Sequence, residues 1–160
     1  MDALHQALHL MRGADGPRYA YHKPTPEQIA AAEAALGQKL PPSYVKFLKT
    51  WDGSAIDYWE VLVLDESLDE EGVAGILDTN LGERAYGMPE HLIAFHPDGH
   101  GGYLCFDARA RDTHGECRIV AWAHDMSAEE NIAAIGGSQV DHGESFDAWL
   151  LSEVQEQVGE

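Results

Sequence analysis

Between residues 25 and 53 the apolar positions keep helical spacing, and the residues that start and stop helices fall where that spacing needs them. Thr25 is a good N-cap, Pro26 takes the first helical position, where its missing N–H costs nothing, and Gln28 stands where a capping box wants Glu or Gln. Gly37 supplies the stop. A second helix starts near Pro42 and places Tyr44, Phe47, Leu48 and Trp51 at i, i+3, i+4 and i+7, one apolar stripe with Lys46 and Lys49 outside it. Asp52 and Gly53 close it in a turn. The pattern predicts a helical hairpin.

Upstream, Leu4, Leu8 and Met11 predict a short amphipathic helix over residues 2–12. Residues 1–20 read as an N-terminal helical extension to a domain spanning 21–160. Residues 58–64, YWEVLVL, are rich in aromatic and branched side chains and predict a strand. Residues 65–80 return to helical spacing through Leu68, Val73 and Leu77, but Gly72 and Gly75 weaken that helix. Residues 81–88 read as a loop. Two strand arms, 91–95 and 103–106, flank a Pro97-Asp98-Gly99 turn, and a third arm follows at 117–123. Residues 131–143 read as a loop, and Ser145 caps a last helix whose Phe146, Trp149, Leu150 and Val154 form a stripe. Helices, then a meander of strands, then a helix predict an α+β fold, a single domain with helices packed against a mainly antiparallel β-sheet.

Composition changes this picture in one respect, which is charge. The chain has 160 residues and 44% hydrophobic content, enough for one domain with a core. Its 28 Asp and Glu against 10 Lys and Arg give a formal charge of −18, which repels phosphate backbones and anionic headgroups. Nucleic acid and membrane surfaces are therefore poor partners, and a basic protein is a plausible one. Cys105 and Cys117 lie in strand arms with no CxxC spacing, so no disulfide framework or zinc knuckle is indicated, although the two could face each other across a hairpin. No signal-peptide core or membrane-length apolar window is present, and the expected location is cytoplasmic.

The helical hairpin also carries a resemblance. Glu33, Leu36, Gly37, Leu40, Pro41, Tyr44, Phe47, Leu48, Asp52 and Gly53 follow a pattern similar to that of the SUKH superfamily, the Smi/Knr-like proteins. The resemblance continues through GYLCFDARA and CRIVAWAHD to SFDAWL, and departs at Asp52, where Asn is commoner. It implies a non-enzymatic protein-binding module, of a family in which many bacterial members are immunity proteins that neutralise toxins. The yeast members of the family imply a regulatory scaffold as another possibility.

Candidate chemistry is sparse. His96, Asp98 and His100 alternate and could converge on a metal for assisted hydrolysis, but Pro97-Asp98-Gly99 is equally a turn that throws the histidines apart. His5 and His9 lie four apart on a helix without a third ligand. His124-Asp125 has the form of a carboxylate-oriented histidine, while the resemblance makes it a strand-end feature. No G-x-S-x-G or phosphate loop occurs, and Cys105 between Leu104 and Phe106 reads as inert packing. No cofactor is expected.

The charge pattern says more. Residues 50–83 hold ten acids and no Lys or Arg, and residues 119–160 hold nine more, again with none. Charge segregated in this way produces a field directed at a basic surface, unless it is only a solvated face. Tyr58 and Trp59, adjacent on a strand, would point to opposite faces, leaving one as a candidate interface anchor. The expected contact surface comprises Asp57, Trp59, Glu60, Asp69, Glu70 and Glu71, with Asp98 and His100 on the neighbouring turn.

Overall fold

A computed structural model describes residues 2–56, 59–68, 74–136 and 141–159. Among these residues the chain forms six helices and a four-stranded antiparallel sheet in the order β1-β2-β3-β4. The elements are α1 (Ala3–Gly13), α2 (Pro26–Leu36), α3 (Pro42–Thr50), α4 (Ile76–Ala85), β1 (Leu92–Pro97), β2 (Tyr103–Arg111), β3 (Cys117–Trp122), α5 (Ala128–Gly136), β4 (Asp141–Gly143) and α6 (Phe146–Gln157). This is the α+β architecture that the sequence predicts.

Local rules account for the helical hairpin. Thr25 Oγ1 accepts from Gln28 N while Gln28 Oε1 accepts from Thr25 N, so the capping box is complete. Gly37 ends α2 in the left-handed region at φ 76°. The α3 stripe then buries Tyr44, Phe47 and Leu48. Tyr44 meets Phe106 and Phe146 edge to face, and its buried hydroxyl donates to the Leu62 carbonyl.

The sheet is buried on both faces. Ile93, Phe95, Phe106 and Ile119 share one core with α1, α3 and α6, while Leu92, Ala94, Cys105, Val120 and Trp122 share a second with Met88 and Ile135 of α5. Strand alternation sorts the two sets. Cys105 is paired with Val120 and Cys117 with Arg111, so the thiols do not face each other; both are free and buried.

Residues 59–64 correct the expected strand. Their backbone is divided among several partners: Glu60 O accepts from His96 Nδ1, Leu62 N donates to Phe95 O, Leu62 O accepts from Tyr44, and Val63 O accepts from Ile76 N. A segment whose polar groups are spent this way cannot also form a ladder, and tertiary contacts override its β-propensity. It lies as a strap along the free edge of β1. Asn80 closes the rest of that edge, donating to Ala94 O and accepting from Ala94 N.

Two expected loops are helical in part, and the second also holds β4. The helix expected over residues 65–80 starts instead at Ile76, where Asp65 accepts from Leu77 N and Asp78 N and satisfies its first turn, and it runs on to Ala85 as α4. α5 occupies residues 128–136, where Ser127 and Glu130 form a second reciprocal capping box. β2 also extends past its expected end at residue 106 to Arg111.

Removing the Asn80 amide leaves the Ala94 N–H and C=O without partners in a buried edge. At about 1–3 kcal/mol for each orphaned group, Asn80→Ala should lower the unfolding free energy by about 2–4 kcal/mol. Urea unfolding of the two proteins measures this, and a loss under about 0.5 kcal/mol would remove Asn80 as the closure of the edge.

Candidate functional site

A bulge in β1 builds the site. Ala94 pairs with Cys105 and His96 with Leu104, so Phe95 is the extra residue. The bulge turns two successive side chains toward the helical layer. Phe95 stacks on Phe106 at 4.1 Å, and His96 enters an aromatic cluster, 5.1 Å from Trp149 and 5.2 Å from Trp59. Trp59 in turn stacks on Trp149 at 5.9 Å with ring planes 25° apart.

His96 is 8% exposed, and its Nδ1 lies 2.6 Å from the Glu60 carbonyl. A carbonyl only accepts, so Nδ1 carries the hydrogen. Burial lowers the imidazole pKa, and the Glu60 carbonyl and the Asp98 charge oppose that shift without cancelling it. This bond fixes the backbone of Glu60 against the sheet. The carboxyl of Glu60 lies outward, exposed, with its pKa raised by partial desolvation.

Asp98 and His100 sit on the turn between β1 and β2, both exposed. Asp98 Oδ1 accepts from His100 N at 2.7 Å and from Gly102 N at 3.0 Å, so the carboxylate organises the turn. Gly102 has no room for a side chain: a Cβ there would lie 2.5 Å from Trp122 O. The turn thus separates His96, which enters the core, from Asp98 and His100, which face water. Among the described residues no group of three His, Cys, Asp or Glu is placed to hold a metal ion.

Of the expected contact residues, Trp59, Glu60, Asp98 and His100 are described. Asp57, Asp69, Glu70 and Glu71 lie outside the described residues, as does Tyr58. The structure adds two members. Tyr103, half-buried at the start of β2, has its phenol pKa raised by burial and by the charges of Glu83, Asp98 and Glu60. These three acids come from α4, the turn and the strap, and all act electrostatically on one ring. Glu83 closes the acidic run 50–83, a signal that pointed to it; nothing in the sequence singles out Tyr103.

The remaining candidates have structural roles. His5 Nδ1 lies 2.8 Å from Asp2 Oδ1, the carboxylate that caps α1. The His124 ring lies beneath Gly101, where a Cβ would come within 3.0 Å of it. Burial pushes the Cys117 thiol up to about 11 and the Cys105 thiol higher still, so both stay protonated at neutral pH.

His96 has a folded pKa below its ordinary value of 6.5, so the folded state prefers it neutral. Its contribution to stability is present above pH 6.5 and is lost as pH falls from there through the folded pKa. Wild-type protein should therefore lose more unfolding free energy between pH 7.5 and 5.5 than His96→Gln, which cannot titrate, loses over the same interval. Urea unfolding at the two pH values measures this, and equal losses would refute the assignment.

Comparison with known proteins agrees with this architecture. The family model described as SMI1-KNR4 cell-wall matches residues 5–155, nearly the whole chain. No curated protein matches the chain. Among solved structures, a crystal structure of a protein from Pseudomonas syringae pv. tomato is similar with a TM-score of 0.58 at 19% identity, covering 75% of this chain and 83% of that one. A likeness at that identity speaks for the fold alone.

Proposed function

Because the chain belongs to the SMI1-KNR4 cell-wall, or SUKH, family, we propose that it is a non-enzymatic protein-binding module of the immunity type. It neutralises a basic toxin domain by covering it with an acidic surface. The feature that supports this reading is an acidic face to which Glu60, Glu83 and Asp98 contribute from three separate elements, and whose charges add to burial in raising the pKa of the half-buried Tyr103. An aromatic ring among charges of one sign is the composition of an interface anchor, and acids steer a basic partner toward it. Trp59 and His100 extend the proposed contact surface, and Asp57, Asp69, Glu70 and Glu71, outside the described residues, are included in the proposal from the charge pattern of the sequence alone.

A toxin that cleaves nucleic acid suits this surface best, since its substrate channel must attract phosphates and so attracts carboxylates too. The same charge disfavours nucleic acid and anionic membranes as partners. No helix among the described residues is long and apolar enough to cross a membrane. The proposed site of action is the cytoplasm, where thiols such as Cys105 and Cys117 remain reduced.

An immunity gene is expected to adjoin the gene of its toxin, so the test uses a toxin domain found encoded in the neighbouring genes. The double variant Glu60→Lys/Glu83→Lys, with circular dichroism to confirm the fold, should bind about tenfold or more weakly at low salt, the difference narrowing as salt rises. Neither carboxyl has a hydrogen-bond or ion-pair partner in the described structure, so the fold has no need of them. Unchanged affinity at low salt would reject this surface as the contact.

A further inference from the structure

On the α5 side of the sheet the second core opens into a groove of about 320 Å³. Leu92, Asp107 and Arg118, register partners across β1, β2 and β3, line it together with Arg109, and His91 before β1 and Ile132 and Ile135 of α5 complete the wall. Three bonds fix that wall. Arg84 donates to the Glu90 carbonyl at 2.8 Å, Ala108 N donates to the His91 carbonyl at 2.7 Å, and Arg118 Nη2 donates to the Ile135 carbonyl at 3.1 Å. The groove is therefore preformed, as ligand sites usually are.

Its lining runs against the rest of the chain. A sequence with 28 acids and 10 Lys and Arg places two guanidiniums in one groove, and the buried Asp107 offsets only one of them. Arg109 is exposed, and neither its guanidinium nor the His91 ring has a hydrogen bond or ion pair among the described residues. The two are close enough that the Arg109 charge adds to burial in holding the His91 pKa down, against the pull of Asp107. Beside these donors stands Ile132, which with Leu81 and Tyr86 is one of three large apolar side chains exposed among the described residues.

An occupant must answer both the charge and the apolar wall. A cation is repelled by Arg109 and Arg118. A phosphate ester brings about two negative charges to a groove with one positive charge in excess, and the net charge of −18 opposes the second. A single carboxylate matches that excess and fits the planar fork of a guanidinium. The volume is about twice that of an engineered cavity of about 150 Å³ that takes up benzene, which leaves room for a ring or branched chain beside the carboxylate.

We propose that this groove binds a small monocarboxylate with an apolar body, the carboxylate held by Arg109, Arg118 and His91 and the body lying on Leu92, Ile132 and Ile135. The site shares no residue with the acidic face, so it stands or falls independently of the toxin-binding reading.

The probe is 3-phenylpropionate, titrated into ¹⁵N-labelled protein while the backbone amides of His91, Arg109 and Ile135 are followed. Their signals should shift saturably, and 3-phenylpropanamide, which keeps the shape and lacks the charge, should bind about tenfold more weakly. Arg109→Gln, at an exposed position whose side chain holds no other group, should weaken the acid by about the same factor, and Ile132→Ser should weaken it about threefold. No saturable shift, equal affinity for the amide, or full affinity in either variant would each overturn the site. Two further probes test the ligand class. If 3-phenylpropyl phosphate binds more tightly than the acid, the monocarboxylate assignment falls to a phosphate ester. If N-acetyl-glycyl-phenylalanine does, it falls to the C-terminus of a polypeptide, and if neither does, the free acid stands.

Discussion

The outer edge of β1 is the constraint on which the rest of the molecule depends. An edge strand presents unpaired N–H and C=O groups, and here that edge is covered, so each group must find a partner inside the protein. Asn80 from α4 takes both groups of Ala94, and Leu62 takes the Phe95 carbonyl. His96, aimed inward by the bulge, holds the Glu60 carbonyl. Once these bonds are made, the strap has a single path, and Trp59 and Glu60 have single positions. The candidate surface follows from backbone bookkeeping in the core.

The buried aromatic layer explains why this arrangement is rigid. Tyr44, Phe95, Phe106, Phe146 and Trp149 pack edge to face and stacked, each ring fixing the next. Tyr44 passes its position on to the strap through its hydroxyl, and Trp149 passes its position on through Trp59. α3 is thus coupled to a surface it never reaches. Lys46 and Lys49 of α3 are exposed outside the buried stripe, and Lys46 donates to Asp2 at the start of α1.

Most of the fold was legible because its signals were local. The capping box at Thr25, the left-handed stop at Gly37 and the Pro-Asp-Gly turn are read from neighbouring residues, and all three occur as expected. The α5 helix had such a signal too, in Ser127 and Glu130, but Gly136 and Gly137 suggested a loop more loudly. The strap and the true bounds of α4 were not legible, for a different reason. Their states are set by Tyr44, Phe95 and Asp65 acting from far along the chain, and side chains rich in β-propensity at 59–64 point the wrong way. The same division runs through the site: charge could be counted, and Glu83 lay in the counted run, but the combined effect of acids from α4, strap and turn on the Tyr103 phenol exists only after folding.

The closed edge of β1 carries one more consequence. A visiting chain cannot lengthen the sheet there, since the donors and acceptors it would need are already taken, and β4 at the other edge is only three residues long. Recognition therefore falls to side chains, whose identity alters contacts without redirecting the backbone beneath them. A surface of that kind can be retuned one residue at a time, so a family can keep one frame while its members part ways in what they hold.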